Sequence, residues 1–279
     1  MVEGLAVVEV SAAERSAEAL SPQTLAAATA MVREAGYVLL TGALSSDWCE
    51  TMRLAWEQQQ GGGGDLRWEL PIMDRLAVEN PWGLQVVEAV MGDDIYVQAP
   101  YGTNTLRPDQ SWIEINGISQ PGNIHVQVVH RDARHPAPGV VGSCELIVMN
   151  ILLVDFTEQN GGTEIWPGTH VVPDAFDAEM SAVEPSQAPN HAENRGATRP
   201  SVRVHAPRGT IIVRDMRLWH RARHNRTSVP RPMLSLVYRS AGSPPPAGEA
   251  ETMPEAAAAR LTDRGRRLHR RNIAPSPKL

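Results

Sequence analysis

The chain has 279 residues and a formal net charge of −6, an acidic balance that disfavours a nucleic-acid partner, because phosphate neutralisation needs a basic face. Its two cysteines, Cys49 and Cys144, are too few for a disulfide framework or a cysteine zinc site and fit a reducing cytoplasm. No stretch approaches the roughly 18 apolar residues of a membrane span, and the length suits one domain acting on a small molecule as a monomer or homodimer.

From Ser21 to Ala35 and from Ser46 to Gln60 apolar residues recur at helical spacing, with a short strand-like run, Tyr37-Val38-Leu39-Leu40, between them. A glycine break at Gly61 to Gly64 precedes a third helical stretch, Met73 to Met91, so residues 1–94 form an N-terminal helical layer. Candidate strands follow at 95–100, 111–115, 123–131, 144–154, 163–166, 201–205, 210–214 and 232–238. Many short β runs separated by Gly, Pro, Asn and Asp predict a mainly β fold with flanking helices, a double-stranded β-helix of the jelly-roll, cupin-like kind, over 95–240. Residues 172–200 have weak periodicity and read as an insertion where substrate loops commonly sit. Residues 241–279 form a C-terminal tail, partly helical over 255–271, whose Arg-rich stretch from Arg260 to Arg271 reads as a solvated face.

The chemistry concentrates in two places. The run from Ile124 to Asp132 reads as a strand, and period-two alternation points His130 and Asp132 the same way. An imidazole and a carboxylate so placed supply two ligands of a 2-His-1-carboxylate facial triad, the arrangement that leaves one face of an Fe(II) ion open. Downstream, the strand Thr210 to Arg214 leads to Arg217-Leu218-Trp219-His220, which offers His220 as the third ligand. Eleven residues later stands Arg231, whose planar guanidinium suits the far carboxylate of a dicarboxylate such as 2-oxoglutarate.

These residues resemble the phytanoyl-CoA dioxygenase-like family of Fe(II)/2-oxoglutarate oxygenases, in which His-x-Asp is followed by a distal His and, eleven residues on, an Arg. His130, Asp132, His220 and Arg231 match that pattern. The stretch Asn160-Gly161-Gly162-Thr163-Glu164-Ile165-Trp166-Pro167-Gly168-Thr169-His170 is similar to the family's Asn-Gly-Gly-Thr and Pro-Gly-Ser/Thr-His segment. The segment from Trp219 to Thr227, with Asn225, and the strand after Gly36 also resemble the family, which the chain matches over roughly 30–240. The resemblance implies Fe(II), 2-oxoglutarate and O2 as cofactors, release of succinate and CO2, and oxidation of a second substrate. Because the family's halogenating relatives carry a small residue where Asp132 stands, it also argues against halogenation.

Other residues have competing readings. Thr163 and Asn225 suit turns, although either could reach the co-substrate. His170 reads as a turn residue bonding backbone groups, and Trp219 as packing. His125 falls on the opposite strand face from His130, and His135 lies beyond the strand. His224, four residues after His220, remains a rival ligand. We expect hydroxylation of a C–H bond in a small-molecule natural product of bacterial secondary metabolism, such as antibiotic biosynthesis. The alternatives are epimerisation or desaturation, a coenzyme A thioester substrate, and a non-catalytic jelly-roll binding module.

Overall fold

The computed structural model describes residues 4–62, 73–115, 118–121, 126–182, 198–244 and 252–273. The N-terminal layer opens with strand β1 (Val7–Glu9) and helix α1 (Ala12–Ala17). A reciprocal cap between Ser11 and Glu14, which the sequence reading did not anticipate, starts this helix. Helix α2 (Pro22–Ala35) begins at the predicted place, with Ser21 accepting from the Thr24 amide and Pro22 at its first position. It ends at Gly36, whose φ of 86° delivers the chain into β2 (Tyr37–Thr41).

Helix α3 spans Ser46–Gly62. The single helix expected over 73–91 is two, α4 (Arg75–Val78) and α5 (Pro81–Met91). Pro81 lacks an amide hydrogen and disfavours helical geometry at Asn80. The Asn80 side chain instead accepts from the Gly83 amide and starts a new helix.

The β portion contains β3 (Ile95–Leu106), β4 (Trp112–Ile115), β5 (Ile118–Pro121), β6 (Leu146–Leu152), β7 (Glu164–Ile165), β8 (Val202–Arg203), β9 (Ile211–Asp215), β10 (His220–Arg221) and β11 (Arg231–Ser240). The large sheet has the order β1-β2-β9-β6-β11-β3, antiparallel except for the parallel β1–β2 pair. The small sheet has the order β10-β7-β8, and β4 with β5 forms a separate hairpin. The result is the expected jelly-roll arrangement, with two facing sheets that do not close into a barrel among the described residues. Of the expected strand over 123–131, residues 123–125, including His125, lie outside the described residues. The rest pairs with the chain around β10 through a bridge between His130 and His220 and a hydrogen bond from the Gln127 amide to the Ala222 carbonyl.

Alternation along the large sheet sorts its side chains. Val38, Leu40, Ile147, Met149, Ile151, Ile211, Val213, Leu234, Leu236 and Tyr238 face the helices and form the main core. Tyr37, Leu39, Leu152, Ile212 and Met233 face the small sheet and pack with Phe156, Ile165, Val204 and Leu218.

The tail contributes more than a solvated face. Helices α6 (Glu255–Ala258) and α7 (Asp263–Leu268) bury Ala257, Ala258, Leu261 and Leu268 in the main core. Arg270 and Arg271 both reach Tyr96, and Arg270 also pairs with Asp94. The correction has a simple cause: the arginines point outward between apolar residues spaced for burial.

Candidate metal centre

A cavity of ≈ 370 Å³ opens between the two sheets. The even faces of β6 and β9 and the odd face of β11 line one wall with Val148, Asn150, Ile212, Arg214, Arg231, Met233 and Ser235. His130, Asp132 and His220 stand together at the opposite wall. One donor atom from each of the three lies within 4.8 Å of the others, the one such converging group of His, Cys, Asp or Glu among the described residues.

Backbone pairing produces this convergence. The amides and carbonyls of His130 and His220 exchange hydrogen bonds of 3.1 and 3.0 Å, which sets the rings side by side with centroids 4.3 Å apart. Asp132 is fixed differently, since its own amide and that of Ala133 both donate to the Met216 carbonyl. The expected same-side placement of His130 and Asp132 is therefore present, although a bridge and a loop create it in place of a continuous strand.

Each imidazole is oriented from behind. His130 Nδ1 lies 2.9 Å from the Val128 carbonyl and His220 Nδ1 lies 3.0 Å from the Leu218 carbonyl. A carbonyl only accepts, so both Nδ1 atoms carry the hydrogen and both Nε2 lone pairs face the cavity. Consequently the 3.2 Å approach of Arg214 Nη1 to His220 Nδ1 is an electrostatic contact between two donors. Burial, reinforced by Arg214, pushes the His220 pKa down to about 3, which keeps the ring neutral and able to ligate at pH 7.

His130 Nε2 lies 3.6 Å from Asp132 Oδ1 and His220 Nε2 lies 3.4 Å from Asp132 Oδ2, which also accepts from Arg214 Nη2 at 2.8 Å. Burial works to raise the Asp132 pKa, but the neighbouring His220 ring and the Arg214 guanidinium prevail and hold the carboxyl below the usual carboxylate range. Two imidazoles and a carboxylate form a donor set suited to a divalent first-row ion such as Fe(II).

Arg231 lies in the same cavity at the start of β11, only 2% exposed, with its guanidinium 3.9 Å above the Phe156 ring. Among the described residues its Nε and Nη1 have no hydrogen-bond partner. Burial pushes its pKa down to about 9, still high enough to keep the charge at neutral pH. A buried cation without a counter-ion is costly, so the site fits an anionic occupant such as a carboxylate. Thr163 also lines this cavity.

Asn225 does not. It is fully buried, donating to the Leu106 and Val229 carbonyls and accepting from the amide and hydroxyl of Thr227. These bonds fix the turn that leads into Arg231, which uses the polar capacity that could have met a co-substrate.

The other histidines separate cleanly. His224 Nε2 meets Asp109 at the surface, 3.3 Å away, apart from the converging donors. His135 Nε2 bonds the Val172 carbonyl at 3.0 Å. His170 bonds the Arg33 carbonyl at 3.1 Å, the backbone role expected for it. Its ring also explains the glycine at 36, where an added Cβ would lie 2.7 Å from His170 Nδ1 in addition to the left-handed φ. Thr169 Oγ1 donates to the Trp166 carbonyl and accepts the Trp219 amide, so the Pro-Gly-Thr-His turn fixes the residue before His220.

Two arginines beside the site were not singled out from the sequence. Arg131, between two of the converging residues, has a side chain 1% exposed that reaches the Val172 carbonyl, Asp174 and Asp177, tying this loop to the segment after His170. Arg214 could have been found by alternation, since it shares a strand face with Ile212.

Comparison with known proteins agrees with this geometry. The family Phytanoyl-CoA dioxygenase (PhyH) matches residues 32–233. Among solved structures, the non-heme alpha ketoglutarate dependent epimerase SnoN from nogalamycin biosynthesis is similar at 19% identity and a TM-score of 0.57, over 84% of this chain and 95% of that one. The carbocyclase SnoK from the same biosynthesis is 19% identical with a TM-score of 0.57, covering 88% and 92%. EctD from S. alaskensis is 20% identical with a TM-score of 0.56, covering 91% and 85%. With more than half of its length matched, the chain belongs to the phytanoyl-CoA dioxygenase (PhyH) family and is a non-haem Fe(II)- and 2-oxoglutarate-dependent dioxygenase.

Proposed function

We propose that His130, Asp132 and His220 hold the Fe(II), that Arg231 receives the far carboxylate of 2-oxoglutarate with Thr163 lining its binding cavity, and that the enzyme hydroxylates a C–H bond of a small-molecule natural product. The observation that carries the reading is the pairing, within one cavity, of three converging donors with an unpartnered buried guanidinium. When bound, iron and co-substrate supply oxidative decarboxylation of 2-oxoglutarate to succinate and CO2, coupled to oxidation of the second substrate.

The chain's own residues organise that chemistry. The Val128 and Leu218 carbonyls hold the two imidazoles in the ligating tautomer. The Phe156 ring supports the Arg231 guanidinium from 3.9 Å, and the Asn225 turn sets where β11 begins. Gln110 and Gln127 add neutral polar groups to the cavity lining, suited to a second substrate bearing hydroxyl or carbonyl groups. Free Cys49 and Cys144 accord with a reducing cytoplasm.

Anaerobic titration with Fe(II) and 2-oxoglutarate tests the site: one iron per chain and a weak visible charge-transfer band are expected, and stoichiometric iron without the band would refute the co-substrate assignment. For the reaction, turnover under ¹⁸O₂ with candidate natural products should place labelled oxygen in the product. An altered product without the label would assign epimerisation or desaturation instead.

A further inference from the structure

Arg214 is held on β9, a central strand of the large sheet paired with β2 on one side and β6 on the other, so its backbone is fixed. Its side chain is 8% exposed. Among the described residues its polar neighbours are Asp132 and His220, so the guanidinium serves this site and no other part of the fold. It donates to one carboxylate oxygen of Asp132, Oδ2, at 2.8 Å, an oxygen that also lies 3.4 Å from His220 Nε2, whereas Oδ1 accepts no hydrogen bond among the described residues and lies 3.6 Å from His130 Nε2.

We propose that Arg214 is a positioning residue that restricts Asp132 to a single donor oxygen toward the metal, and this rests on the ligand assignment above. The reason is a count of positions. An octahedral ion held by three protein groups has three left, of which a chelating 2-oxo acid takes two. A carboxylate binding through both oxygens would take the last. By engaging Oδ2 with a charge-assisted hydrogen bond, Arg214 makes the second oxygen a poor ligand and keeps one position open to a small gas molecule.

Nitric oxide reads that position directly. Wild type, Arg214→Met and Arg214→Lys are loaded anaerobically with Fe(II) and 2-oxoglutarate and titrated with nitric oxide, followed by electron paramagnetic resonance. Metal content is determined separately by elemental analysis, and Fe(II) affinity by competition with a chelator. The Arg214→Met variant should retain one iron per chain with affinity equal to or tighter than wild type, because a cation has been removed and a second oxygen released. Its nitric oxide affinity should fall by about 10- to 100-fold, the scale of a lost charged hydrogen bond. Arg214→Lys, which keeps a charged donor, should recover most of it.

Opposite movement of the two affinities is the signature that a merely structural role would not give. Parallel loss of iron and nitric oxide affinity in folded Arg214→Met, or unchanged nitric oxide affinity, overturns the inference. If Arg214→Met does not fold by circular dichroism, Arg214→Gln carries the same comparison. A wild-type chain that binds no iron would instead sink the ligand assignment itself, so the two failures are distinguishable.

Discussion

The two faces of the large sheet are built from the same strands and follow opposite rules. Toward the helices, Ile147, Met149, Ile151, Val213, Leu234 and Leu236 are close-packed and wholly apolar. Toward the small sheet the intervening residues of β6, β9 and β11 include Asn150, Arg214, Arg231 and Ser235, which surround an open cavity. Polar groups there are partly matched, as in the 2.7 Å bond from Asn150 to Ser235, and partly left without partners, as at Arg231. One face contributes stability through burial. The other retains, among the described residues, a buried charge without a partner, which an anionic ligand would complete. A single register error in any of these strands would exchange the two sets.

Substitutions on each face should therefore separate stability from function. The largest effect is expected at the donors: replacing His130, Asp132 or His220 by Ala should abolish stoichiometric iron binding while circular dichroism stays native. Iron retained at one per chain in His220→Ala would show that the distal ligand lies elsewhere.

On the helix face, Leu236→Ala should cost about 2–5 kcal/mol of unfolding free energy and leave iron stoichiometry intact. Urea denaturation with parallel metal analysis checks both halves of that statement. A fall in metal content in the folded variant would mean that the faces are coupled.

The same apolar side carries a pH dependence. His269, fully buried at the C-terminal end of α7, has its pKa pushed down by burial to about 4 from an ordinary 6.5. The unfolded chain therefore binds the proton more readily. Stability should be complete above pH 6.5 and decline by on the order of 3 kcal/mol as pH falls to 4. Comparing urea midpoints of wild type and His269→Leu at pH 7 and pH 4.5 isolates this contribution, and equal pH slopes for the two proteins would rule it out.

On the cavity face Arg231→Ala should weaken 2-oxoglutarate by about 10- to 100-fold, equivalent to ~1.5–3 kcal/mol, with iron binding kept. Because the buried guanidinium lacks a counter-ion, apo stability should be unchanged or raised. Loss of iron with unchanged co-substrate affinity would make Arg231 structural. The smallest effects are expected at His170 and His224, whose Ala variants should bind iron at wild-type stoichiometry. Removing His170 should also lower stability, since its ring packs on Gly36.

The sequence by itself determined the local and periodic features. Helical spacing of apolar residues marked α2 from Ser21 to Ala35, and short β runs between turn residues marked β6, β9 and β11. The spacing from His130 to Asp132, and from His220 to Arg231, identified the residues that the fold gathers into one cavity. Sequence patterns are read over a few residues, so anything set by partners distant in the chain escaped them. Whether His220 or His224 faced the cavity depended on the bridge to His130, 90 residues away in the chain. Asn225 went to a turn because Leu106 supplied an acceptor |i−j| = 119 residues off. Arg214 looked like an ordinary strand residue until tertiary structure brought Asp132 to it across 82 positions. The Arg-rich tail looked solvated until α6 and α7 found the apolar surface that Ala257, Leu261 and Leu268 cover. Local sequence sets backbone conformation and side-chain face, whereas the choice of partner for a charge or a donor is made only when long loops close and bury it.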